Sequence, residues 1–191
     1  MILADLVVGG RLRKVLVHFD KNGFAYTLDR ATGELLVAEP FANVTWAKGV
    51  NRTSGLPIVD TTKITGASRG NVTGICPSLE GGKSPASPAS YSPRTGYFYT
   101  ATNNLCMNFE AAPVTRIAGT PYIGATTPYY IGPGGNGGAF IAWDAARGQI
   151  VISQAQLTSA PDPPRGVVAF RPALGCSSCQ CRTWRHASMS T

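Results

Sequence analysis

The sequence lacks several features that would point to common functional classes. No apolar run reaches the roughly 18 residues that a membrane-spanning helix requires, so we expect no membrane span. The first residues do not read as a signal peptide, because Asp5 interrupts the apolar stretch and the basic residues come after it. Only two histidines occur in 191 residues, and no Ser-His-Asp or two-histidine metal arrangement can be assembled from their positions. The positions of the two histidines therefore predict neither a catalytic triad nor a two-histidine metal site.

Charge is also sparse, at 14% of residues, although the net charge is +7. Part of this excess lies in residues 154–191, which contain four arginines and one aspartate. The remainder is scattered without a basic stripe or cluster, which nucleic-acid binding would need. We therefore predict no nucleic-acid partner.

What the chain does have is glycine (22) and proline (14), which favour many short strands and turns over helices. The clearest pattern runs from Lys14 to Val37. It predicts a strand, a tight turn at 20–23, a second strand, a turn at 29–33 and a third strand. Lys21 lies at the first of these turns, where a lysine is most often a solvated surface residue and where a β scaffold can also present it to a ligand.

A five-residue turn recurs four times, each with a short polar residue first, glycine last and a β-rich run after it. The copies are Asp29–Gly33, Asn51–Gly55, Ser92–Gly96 and Asp144–Gly148. An Asp or Asn side chain at the first position can accept backbone N–H groups two residues on, and the glycine supplies the positive φ. Recurrent hairpins of this kind favour a β-propeller, with a β-sandwich as the alternative.

Two glycine- or cysteine-rich stretches suggest ligand sites that their context does not support. Glu80–Ser84 (EGGKS) ends like a phosphate-binding loop, but Pro77 occupies the position of the first required glycine and no helix pattern follows. Cys176, Cys179 and Cys181 with His186 could suggest zinc. All four lie within eleven residues in a stretch without strand or helix pattern, so an unstructured tail is the favoured interpretation.

The other two cysteines, Cys76 and Cys106, lie far apart in the β-rich body. Their spacing is compatible with a disulfide that closes a long loop, which would indicate an oxidising compartment. It is also compatible with two buried thiols.

Several blocks, in order, carry a family resemblance: HFDKNGFAYTLDRATGELLVAEPF, WAKGV with SGLPIV, ICPSLEGGKSPASPASYSPRTGYFYTATNNLCMNFE, AGTPYIGATTPYYIGPGG and AFIAWDAARGQIV. Over about residues 1–152 the chain resembles the quinoprotein methanol and ethanol dehydrogenases, which use pyrroloquinoline quinone (PQQ). The resemblance implies an all-β fold, comprising about three blades of an eight-bladed propeller. It also implies a disulfide between Cys76 and Cys106, and a role for Lys21, in Asp20-Lys21-Asn22-Gly23, against the quinone oxygens.

The same resemblance implies the activity and its setting. The family oxidises primary alcohols by hydride transfer to PQQ beside Ca²⁺ or a lanthanide, and passes the electrons to a cytochrome c in the periplasm. The family's catalytic Asp and metal ligands would precede Met1, so we expect neither a catalytic residue nor a metal ligand here. Whether this chain is an enzyme is left open, and we expect it not to bind PQQ stably on its own.

The resemblance also predicts the domain boundary. Residues 1–153 form the propeller fragment, and residues 154–191 form a disordered tail unlike the family, as translation in a shifted reading frame would give. The alternative function, from a different class, is a non-catalytic β-propeller repeat scaffold.

Overall fold

The computed structural model describes residues 1–155 except 67–68, 85–86, 114, 116 and 121–123. The predicted tail, 154–191, lies outside these ranges apart from its first two residues, which end the last strand. The clustered cysteines at 176, 179 and 181 and the histidine at 186 also fall outside the described residues.

Regular structure in the described ranges is nearly all β, as predicted, with one 3₁₀ turn at Thr61–Lys63. The strands are β1 (Ile2–Val8), β2 (Arg11–Phe19), β3 (Phe24–Asp29), β4 (Leu35–Pro40), β5 (Ala47–Val50), β6 (Pro57–Val59), β7 (Val72–Ile75), β8 (Ala89–Ser92), β9 (Tyr97–Asn103), β10 (Leu105–Ala111), β11 (Ala125–Thr126), β12 (Tyr129–Ile131), β13 (Gly138–Asp144) and β14 (Gln149–Ala155).

The first sheet consists of β1 to β4 in chain order, and every neighbouring pair is antiparallel. β2 shows the predicted alternation, because Val15, Val17 and Phe19 are buried while the residues between them are partly exposed. Period-2 burial of this kind is expected where one face of a sheet packs on a core. The predicted strands and turns between Lys14 and Val37 are thus confirmed.

The second sheet has the order β14-β13-β9-β8 and is also antiparallel. Its central strands, β9 and β13, are not consecutive in the chain. The segment between them contains β10, which pairs with β11, β12 and β7 to form a third sheet. A small hairpin of β5 and β6 completes the four sheets of the described residues.

All four predicted five-residue turns form, and each closes a hairpin. In every copy the glycine N–H donates to the main-chain carbonyl of the first residue at 2.8 Å, and the glycine φ lies between +71° and +78°. In the copy at 29–33, Asp29 Oδ1 accepts from the N–H groups of Ala31 and Thr32. The Ala31 hydrogen bond, helped by Thr32 and by the Arg13 guanidinium, holds the pKa of Asp29 below its usual value.

The main core lies where the first and second sheets meet. Phe19 makes edge contacts with Phe41 and with Trp143, at ring-centroid distances of 5.3 and 6.2 Å. The sheets are also joined by a buried hydrogen bond of 2.8 Å from the Thr27 hydroxyl to the Ala145 carbonyl. Apolar contact and a satisfied polar bond therefore fix the two sheets against each other.

Candidate functional site

The turn at Asp20–Gly23, between β2 and β3, is held by its own backbone and side chains. Gly23 N–H donates to the Asp20 carbonyl at 3.1 Å, and Asn22 N–H donates to Asp20 Oδ1 at 2.9 Å. Asp20 Oδ2 lies 3.3 Å from His18 Nε2. Both carboxylate oxygens of Asp20 are therefore engaged within the turn and the strand before it.

Asn22 is fixed from three directions. Its Oδ1 accepts from Phe24 N–H at 2.9 Å, its Nδ2 donates to the Tyr26 hydroxyl at 2.8 Å, and its carbonyl accepts from Trp46 Nε1 at 2.9 Å. The side chain of Lys21, by contrast, is exposed and has no hydrogen-bond or ion-pair partner among the described residues. The turn therefore presents one unneutralised ammonium group on a rigid backbone.

A second loop, which includes the EGGKS stretch, packs directly on this turn. Gly82 N–H donates to the Lys21 carbonyl at 3.0 Å, and the Gly82 carbonyl accepts from Asn103 N–H at 2.8 Å. A Cβ on Gly81 would lie 2.2 Å from Lys21 Cγ. The paired glycines therefore serve close backbone approach.

The Cys76–Cys106 disulfide lies at the base of the same loop. It links the end of β7 to the start of β10, and Ser78 N–H donates to the Leu105 carbonyl at 2.8 Å beside it. Cys76 is followed by a cis peptide bond to Pro77. These contacts fix where the loop leaves the third sheet and so direct it toward Lys21.

Between the turn and the loop lies a cavity of about 510 Å³, within the size range of small-molecule sites. Its charged or titratable side chains are those of His18, Asp20, Lys21 and Lys83. Lys83 Nζ donates to the Ser84 carbonyl at 3.2 Å and to that of Ser87. Partial burial lowers the pKa of Lys83.

Of the residues singled out from the sequence, Lys21 lies on the wall of this cavity, and the structure joins Cys76 and Cys106. Lys83 and the His18–Asp20 pair were not predicted as site residues. The available signal was the Gly81-Gly82-Lys83 sequence, which local motif matching tested only as a phosphate loop. The position of these three residues in the fold depends on their packing against a turn some sixty residues earlier in the chain.

No family model matches the chain. Among curated proteins, the chain is 47% identical over 154 residues to a lanthanide-dependent methanol dehydrogenase of Methylacidiphilum fumariolicum. The aligned region covers 79% of this chain and 25% of that protein. It is also 47% identical over 171 residues to a lanthanide-dependent methanol dehydrogenase of Methylorubrum extorquens, covering 84% of this chain and 28% of that protein.

The solved structure of a europium-containing methanol dehydrogenase matches with a TM-score of 0.76 and 45% identity, over 82% of this chain and 27% of the other. Over this stretch the chain is homologous to quinoprotein alcohol dehydrogenases. This confirms the predicted fold, an all-β partial propeller. The chain spans about a quarter of the length of the quinoprotein dehydrogenases it matches.

Neither a metal-binding group of side chains nor a membrane-spanning helix occurs among the described residues. Within the described residues, no three His, Cys, Asp or Glu side chains are grouped so that they could hold a metal ion. The part of the chain that the structure describes contains no helix long and apolar enough to cross a membrane.

Proposed function

We propose that this chain forms one wall of the PQQ site of an alcohol dehydrogenase propeller, with Lys21 as its cofactor-binding residue. The observation that carries the proposal is the rigid Asp20–Gly23 turn on the wall of a cavity of suitable size. The turn holds an ammonium group that has no partner in the part of the chain that the structure describes. Similarity to part of the quinoprotein alcohol dehydrogenases supports this choice of ligand.

The charge of the cavity fits such a cofactor. PQQ carries carboxylic acids, which are ionised at neutral pH. Lys21 and Lys83 contribute two ammonium groups to the cavity wall. Among the described residues that line it, Asp20 is the sole carboxylate, and Asn22 and His18 already engage it. The residues present therefore favour a ligand with several acidic groups.

The chemistry of Lys21 follows from its position. When bound, the quinone supplies the acceptor for a hydride from a primary alcohol. An ammonium donor aimed at an oxygen where negative charge develops stabilises that charge, most strongly where the donor is already oriented. The backbone of Lys21 is held from both sides, by the turn and by Gly82 N–H, so only the side chain has to be ordered when the ligand binds.

The remaining parts of the reaction are assigned by family. The proposed substrate is a small primary alcohol, and the proposed electron acceptor is a cytochrome c, since a relative from Paracoccus denitrificans is named a cytochrome c methanol dehydrogenase subunit. The periplasm is the proposed location. The described residues offer no metal-ion donor set, so no step is assigned here to Ca²⁺ or a lanthanide.

The test is titration of the 191-residue chain with PQQ, followed by quinone absorbance. We expect saturable binding at millimolar PQQ that Lys21→Met weakens about tenfold, the size of one charge-assisted hydrogen bond. Lys14→Met is the matched control, since Lys14 is an exposed lysine on β2 that does not line the cavity. Equal PQQ affinity in wild type and Lys21→Met would contradict the assignment. An absence of saturable binding up to millimolar PQQ would contradict it as well.

A further inference from the structure

The second lysine of the cavity is held in an unusual way. Lys83 Nζ donates to two main-chain carbonyls of its own loop, those of Ser84 and Ser87. Neither acceptor is charged, and no carboxylate forms an ion pair with Lys83 among the described residues. The direction of the ammonium group is therefore fixed by neutral acceptors alone.

The hydrogen-bond capacity of this group is not exhausted. An ammonium group carries three N–H donors, and two of them are used by the carbonyls. Lys83 is partly buried, so water competes less for the third donor than at an open surface. Keeping a charged side chain in such a place costs desolvation energy that an anionic partner would offset.

The two lysines reach the cavity from different elements. Lys21 comes from the turn between β2 and β3, and Lys83 comes from the loop before β8. The hydrogen bond between Gly82 N–H and the Lys21 carbonyl locks these elements together next to both side chains. Two cations on one preorganised frame match a ligand that carries acidic groups at separate positions.

We propose that Lys83 is a second anion-binding residue of this cavity and that it binds a carboxylate of PQQ, while Lys21 serves the quinone oxygens. This inference rests on the proposed function. Each lysine then recognises a different chemical group of the same cofactor.

The division gives a test with two ligands. PQQ and its trimethyl ester share the ring system and quinone, but the ester lacks ionised carboxylates. The 191-residue chain and its variants are titrated with both, and the signal of the Lys83 ammonium nitrogen is followed by NMR with labelled lysine. We expect Lys83→Met to weaken PQQ binding about tenfold and ester binding by less than twofold. Lys21→Met weakens both ligands to the same extent.

Lys83→Gln separates charge from loop anchoring. The glutamine amide is neutral but still donates to the two carbonyls, so the variant keeps the fold if Lys83→Met does not. We expect Lys83→Gln to lose as much PQQ affinity as Lys83→Met does. We also expect it to unfold at the same urea concentration as wild type. Lys14→Met controls for the loss of one positive charge elsewhere.

Three results would overturn the proposal. They are an equal loss for PQQ and ester in Lys83→Gln, unchanged PQQ affinity in that variant, and an unmoved Lys83 ammonium signal at millimolar PQQ. If Lys21→Met loses affinity while Lys83→Gln does not, the proposed function stands and this inference alone fails. If Lys83→Gln loses PQQ affinity selectively while Lys21→Met has no effect, the assignment of Lys21 fails instead.

Discussion

Replacement of Gly81 by alanine should disturb the site more than any comparable change in a surface turn. Gly81 has φ +80°, and a Cβ there would lie 2.2 Å from Lys21 Cγ and 2.7 Å from the Lys21 carbonyl oxygen. Ordinary contact begins near 3.4 Å. The Lys21 carbonyl cannot retreat freely, because it accepts the hydrogen bond from Gly82 N–H.

Two terms set the magnitude. Placing alanine at positive φ costs about 1 kcal/mol or slightly more. Overpacking against a backbone that cannot relax adds about 1–3 kcal/mol. We therefore expect Gly81→Ala to lower the free energy of unfolding by about 2–4 kcal/mol and to displace Lys21 from its position on the cavity wall.

Gly96→Ala is the matched control, because Gly96 has φ +72° and nothing lies within 4 Å of its added Cβ. It carries the strain without the clash, so its cost should be about 1 kcal/mol. Urea unfolding followed by tryptophan fluorescence gives both values, and PQQ titration reports on the site. Equal destabilisation of the two variants, or wild-type PQQ affinity in Gly81→Ala, would refute the reasoning.

Three further predictions concern stability. Loss of the disulfide in Cys76→Ser with Cys106→Ser should cost about 3–4 kcal/mol in urea unfolding, because it closes a loop with a sequence separation of 30. Thr27→Val should cost about 1–3 kcal/mol in the same assay, since it leaves the buried Ala145 carbonyl without its donor. At pH 6 Asp29→Asn should be less stable than wild type, and this difference in melting temperature should disappear as the pH falls to 3. The folded carboxyl has a lowered pKa, so its contribution is present above its unfolded pKa and is lost as pH falls through the folded value.

Each of these has an outcome that contradicts it. Added reductant should leave the double cysteine variant unchanged while it destabilises wild type, and insensitivity of wild type would be evidence against the disulfide. Thr27→Val keeps the methyl group and loses only the hydroxyl, so wild-type stability of this variant would be evidence against the hydrogen-bond argument. A constant difference between Asp29→Asn and wild type from pH 6 to 3 would contradict the linkage argument.

The turns were predictable from the sequence because their causes are local. The short polar residue at the first position and the glycine at the last are four residues apart, and the same main-chain hydrogen bond forms in all four copies. The burial of Val15 and Val17 was predictable for a similar reason, since strand alternation fixes which side chains share a face. The turn pattern singled out Lys21, and the family resemblance added its proposed role toward the quinone oxygens, which stays a prediction.

The rest of the site depends on contacts between distant segments, which local patterns do not encode. The role of Gly81 as a packing glycine appears only once the loop lies on the Asp20–Gly23 turn. Lys83 becomes a cavity residue through the same contact. The third sheet was not predicted for a related reason. The hairpin spacing did not show that the chain leaves the second sheet after β9, forms β10 in the third sheet, and returns as β13.

The order of strands in the two large sheets has a consequence for how the chain folds. In the first sheet every strand pairs with its sequence neighbour, so each step closes only a short turn. In the second, Asn103 pairs with Gly138, and residues 104–137 must be looped out first. Each doubling of loop length adds about 0.6 kcal/mol to the entropic cost of loop closure. Closing this loop therefore costs about 2 kcal/mol more than closing a short hairpin turn. We therefore expect β1 to β4 to gain hydrogen-exchange protection first during refolding, with β9 and β13 following once the third sheet has formed.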